Sequence, residues 1–80
     1  MSTERLECTA DAELVDRVLN ALDSLWASAA NVEEEDRNLF TLAVSEIAEN
    51  IVEHAEAREP VTVSVTLSAD SDMLEAVFTD

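Results

Sequence analysis

Apolar residues alternate near both ends of the chain and recur with a helical period between them. Across residues 4–9, Leu6, Cys8 and Ala10 fall on one side and Glu7 and Thr9 on the other, which predicts a short strand. From Asp11 the spacing changes. Leu14, Val15, Val18, Leu19, Leu22, Leu25 and Trp26 trace one face of a helix. Asp11 and Glu13 sit in its first turn, where the helix dipole favours acids, and the small residues 27–30 end it. Asn31 with Glu34 three positions on has the form of a capping box, so a second helix is expected to start there. It should run to about Ala57 and stop before Glu59-Pro60, because the residue preceding proline disfavours the helical region. The acidic run 33–36 then lies at the positive end of that helix, which explains it without a metal site.

Beyond Pro60 the period becomes two. Val61, Val63, Val65 and Leu67 alternate with Thr62, Ser64, Thr66 and Ser68; residues 68–72 read as a polar turn. Leu74, Ala76 and Phe78 then alternate with Glu75, Val77 and Thr79. The order strand, helix, helix, strand, strand implies an α+β fold, with two helices packed on one face of a mostly antiparallel sheet. Residues 1–80 are expected to form a single domain with no repeat or linker. So few strands leave an unpaired edge, which points either to a chain cut short of its natural end or to pairing with a second copy.

The second helix carries polar residues on its apolar stripe. With Leu39 set at about 0° and about 100° per residue, Leu39, Ala43, Ile47, Phe40, Ile51, Val44, Ala55 and Ala48 fill the half-circle from about 0° to about 180°. Asn50 falls at about 20°, His54 at about 60° and Glu46 at about −20° on the same wheel. Polar side chains on a buried stripe cost free energy unless something satisfies them. Glu46 and Asn50, one turn apart, point the same way and can share a ligand. A carboxylate and an amide oxygen suit Mg²⁺, and a carboxylate beside such a site can accept a proton from an attacking hydroxyl. The alternative is a helix border where Glu46 faces water and Asn50 bonds a backbone group. For His54 the alternative is a packed core residue. Arg17, beside Asp16 and one turn after Glu13, reads either as a surface ion pair or as a partner contact. Trp26 and Phe40 belong to the core, and Cys8 reads as a small buried hydrophobe.

Charge narrows the partners. Nineteen acids face four arginines and no lysine, a net charge of −15. Nothing here neutralises phosphates along a nucleic acid or is drawn to an anionic membrane. A salt-rich solvent, a basic protein surface or a nucleotide held through a metal cation fits better. The single cysteine excludes an internal disulfide. No apolar run is long enough to span a membrane and no signal segment opens the chain, so a cytoplasmic location is expected. The chain has no glycine and therefore no glycine-based phosphate loop.

These residues in this order resemble a known family. Residues 42–54 read L-A-V-S-E-x-x-x-N-x-x-x-H, which is similar to the N-box of the histidine-kinase-like (GHKL) ATPases. The branch most resembled is that of the anti-sigma-factor serine kinases of bacterial stress and sporulation switches. The likeness runs over the whole chain, including Val15-Asp16-Arg17-Val18 in the first helix. Residues 74–80 resemble the strand that leads into the family's D-x-G-x-G motif, and the sequence stops on its aspartate.

The resemblance implies a role for each matching position. Glu46 would be the catalytic carboxylate that activates the attacking hydroxyl. Asn50 would coordinate the Mg²⁺ that bridges the phosphates of ATP, and Asp80 would accept a hydrogen bond from the adenine amino group. Arg17 would meet a sigma factor and an anti-sigma-factor antagonist protein. His54 matches a recurrent position without an assigned role. The implied parent is an anti-sigma regulatory factor that phosphorylates a serine or threonine of its antagonist and sequesters the sigma factor; the open sheet edge makes a homodimer the expected state. The glycine boxes, the ATP lid and the later strands have no counterpart in these 80 residues. The chain thus resembles the N-terminal half of such a domain and is not expected to bind ATP and Mg²⁺ by itself. The competing expectation is a complete, non-enzymatic interaction module that binds no nucleotide.

Overall fold

A computed structural model describes residues 1–29, 31–55 and 61–79. Five elements follow one another: β1 (Ser2–Thr9), α1 (Ala12–Ser28), α2 (Glu34–Ala55), β2 (Thr62–Ala69) and β3 (Leu74–Thr79). The three strands form one antiparallel sheet in the order β1-β2-β3. The fold is α+β, as the pattern implied.

β1 is longer than its alternation suggested. Its polar first residues gain order from pairing, with Ser2 opposite Ala69 and Thr9 opposite Thr62. Facing the helices, Leu6 and Cys8 stand across from Val65 and Val63. Cys8 is buried, as expected.

The side chain of Asp11 caps α1, accepting from the Glu13 backbone N–H at 2.9 Å. Leu14, Val18, Leu22 and Leu25 follow at helical spacing, and all four are buried. Burying such a side chain contributes roughly 1.5–3 kcal/mol before conformational entropy is charged against it. They join Val63, Val65, Leu67 and Ala69 of β2 in one core.

α2 starts later than the capping-box reading placed it. The first carbonyl to accept a helical bond is that of Glu33, from the Arg37 N–H at 3.0 Å. Asn31 and Val32 belong to the turn between the helices, where the Val32 N–H reaches the Ala29 carbonyl at 3.3 Å. Asn31 therefore precedes the helix start instead of capping it. The expected stop before Pro60 lies outside the described residues.

The buried arc of α2 also differs from the stripe read off the wheel. Only Val44 and Ala48 are fully buried, so the arc centres at about 160°, where the wheel also puts Arg37. Arg37 has its Nε buried without a hydrogen-bond partner. Leu39 is 60 % exposed and Ile47 44 %, and Ala43 is exposed too. The reason lies in the packing. α2 leans on α1 more than on the sheet, with the partly buried Trp26 and Phe40 edge to face at 6.0 Å between ring centroids. A single helix contact covers only the far side of the stripe.

β2 and β3 are joined by residues 70–73. The Asp70 carboxylate accepts from the backbone N–H groups of Asp72 and Met73, each at 2.8 Å. Those two donors hold its carboxyl below the usual aspartate range. β2 consequently continues through Ala69, beyond the start of the turn expected from sequence.

Candidate functional site

Because α2 leans on α1, a wedge stays open between α2 and the end of the sheet. It holds a groove of about 400 Å³. Ala10, Val61 and Val63 form the sheet side; Ile47, Asn50, Ile51, His54 and Ala55 form the helix side. A smaller recess of about 190 Å³, lined by Ile51, Val63, Phe78 and Thr79, shares two of those residues and carries the depression toward β3. Thr79 lies opposite Ser64 at the start of β2, so β3 reaches its last described residue beside this recess. Asp80 is the next residue in the chain and lies outside the described residues.

Asn50 and His54 are therefore brought together, one turn apart on α2 and both on the groove. Both side chains are exposed, so His54 is not a packed core residue. Glu46, one turn before Asn50, is exposed on the same helix face but does not line the groove. Arg17 lies elsewhere. Its Nη1 donates to the Glu7 carbonyl of β1 at 3.0 Å, so it reaches a strand backbone and not the carboxylates of Glu13 or Asp16. That contact occupies a polar group on an edge strand. The sequence reading missed the apolar lining, above all Ala10 and Val61 at the ends of elements. Period-based reasoning assigns such residues to the core by default.

The chemistry of the lining fits one part of a nucleotide better than another. A mostly apolar groove of this size, with two polar groups, suits a flat heterocycle. No arginine or lysine is among its lining residues. No described residue has a positive φ, so the described backbone offers no anion-binding nest of the left-handed type. Among the described residues no three His, Cys, Asp or Glu side chains gather to hold a metal. Asn50, on the groove, carries an amide oxygen of the kind Mg²⁺ accepts, and Glu46 one turn away carries a carboxylate outside it.

An α+β chain with an open groove between its second helix and its sheet is the class that fold and site define. Residues 8–80 match the model of the histidine kinase-like ATPase domain, and the chain belongs to that family. The family is one of ATP-binding domains. No curated protein and no solved structure matches the chain. No helix among the described residues is long and apolar enough to cross a membrane.

Proposed function

We propose that these residues form the base-binding and metal-binding side of the ATP site of an anti-sigma regulatory factor with serine/threonine kinase activity. The observation that carries this reading is the coincidence of Asn50 with the groove. Asn50, a residue of the N-box pattern suited to a metal, lines an apolar groove between α2 and the sheet. Asn50 would offer its amide oxygen to Mg²⁺, and Asp80 would hydrogen-bond the adenine amino group. Ile47, Ile51 and Val63 would keep water from the ring. Bound ATP supplies the phosphoryl group to be transferred. Glu46 stands outside the groove, where it can take the proton from a serine hydroxyl presented by a second protein. Positioning and charge neutralisation dominate such transfers. With no glycine, the 80 residues cannot form the glycine-rich phosphate cradle of the family. We therefore read them as the N-terminal half of the domain.

The sigma factor and antagonist would meet the surface near Arg17, and two copies would pair through a sheet edge. In the complete domain, Asn50→Ala should abolish Mg-dependent ATP binding as measured by isothermal titration. Glu46→Gln should leave that binding intact and slow phosphoryl transfer by about 10²–10⁴-fold. Unchanged nucleotide affinity in Asn50→Ala would mean the metal-ligand assignment is wrong. A second reading, a module that binds partners without nucleotide, draws support from the apolar face of α2 exposed at Leu39 and Leu42.

A further inference from the structure

We propose that this chain is built to fold in concentrated salt: its folded state repels itself, and screening by dissolved ions is what holds that repulsion down. The carboxylates are spread over most of the fold. Glu7 on β1, Glu13 and Asp23 on α1, Glu49 on α2, Asp72 in the turn and Glu75 on β3 are all exposed. No charged side chain is buried among the described residues. A basic partner seats on one face and answers only the acids there. Ions in solution answer all of them at once, and no face of the fold needs to be free for that. The inference does not rest on the kinase reading.

The chain supplies little counter-charge of its own. Four arginines stand against 19 acids, with no lysine. Arg17 donates from Nη1 to the Glu7 carbonyl, and the Nε of Arg37 is buried without a partner, so neither group meets a carboxylate. Folding also gathers like charges that the unfolded chain keeps apart. Glu33 and Asp36 at the start of α2 border the same hollow of about 340 Å³ as Asp70 and Asp72 of the turn between β2 and β3. No arginine or lysine lines it. Among the described residues no three acidic side chains gather to hold a metal, so general screening and not coordination relieves the repulsion. A compact chain of net charge −15 suffers this repulsion more than an extended one, which makes salt favour the folded state.

The test is thermal unfolding of the 80-residue chain at pH 7, followed by far-UV circular dichroism in KCl from about 0.05 M to about 2 M. The melting temperature should rise by at least about 10 °C. Most of the rise should come by about 1 M, where the screening length has shrunk to about 3 Å. The comparison is a triple variant, Asp23→Asn, Glu49→Gln and Asp72→Asn, which takes the net charge from −15 to −12. None of the three side chains lines the groove. Repulsion grows with the square of the charge, so the variant loses about a third of it. It should melt above the parent in dilute salt, and the two should converge in concentrated salt. If the parent is unfolded in dilute salt, recovery of its helical signal on adding KCl is the same expected result. A melting temperature that ignores KCl overturns the proposal, as does a chain that stays unfolded at the highest salt. Equal and equally steep responses in parent and variant also overturn it, because salt would then act through apolar burial and not through charge.

Discussion

Single residues divide into those whose partners are near in sequence and those whose partners are not. Asp11 and Asp70 bond backbone N–H groups two and three positions away, so composition and position were enough to mark a helix start and a turn. Arg17 was legible as a surface cation, but its partner, the Glu7 carbonyl, belongs to another element and only the fold reveals it. Asp70 supports a prediction about pH. Its carboxyl is held low by two N–H donors, so it titrates lower in the folded chain than in the unfolded one. Its contribution is complete above the unfolded aspartate value of about 3.9 and is lost as pH falls through the lower folded value. Asp70→Ala should therefore melt below the parent at pH 7, and the gap should close on approach to pH 2. A gap in melting temperature that persists unchanged in acid would show that the two hydrogen bonds do not depend on the charged carboxylate.

At the scale of elements, α1 was read almost residue for residue because its apolar stripe is narrow and its buried side matches it. α2 was read correctly in kind and wrongly in rotation. Its apolar residues cover more of the wheel than one packing contact can bury, and Leu42, at about −60°, already lay outside the stripe. Which part of a wide arc turns inward depends on whether the helix leans on α1 or on the sheet, and no local pattern encodes that. The two helices should respond differently to truncation. Leu25→Ala, in the core beneath α1, should cost about 2–5 kcal/mol in urea unfolding. Leu39→Ala, on the outward side of α2, should change stability by less than about 0.5 kcal/mol. Comparable losses at both positions would mean that Leu39 is covered and that α2 turns a different face to α1.

For the whole molecule, the order of elements was enough to give the α+β architecture, since a central β2 flanked by β1 and β3 buries Val63, Val65 and Leu67 under the helices. The wedge was not legible, because it is a space left between elements. Asn50 was singled out for lying on an apolar stripe; the structure leaves that part of the stripe exposed and puts Asn50 on the groove of the wedge. Charge acts at this scale as well. With −15 spread over 80 residues and no arginine or lysine among the groove's lining residues, the chain alone has little to hold a triphosphate. Isothermal titration of residues 1–80 with Mg-ATP should show no binding in the micromolar range.

The most direct test uses His54 and Asn50 as reporters in the complete domain. The imidazole resonances of His54 and the side-chain amide of Asn50 can be followed by NMR while Mg-ATP is added. Saturable shifts are predicted at Asn50, Ile51, His54 and Val63, with none at the Asp70 turn, and they should vanish in Asn50→Ala. Shifts that bypass the groove, or that survive unchanged in Asn50→Ala, would contradict the assignment of this wedge as the nucleotide site.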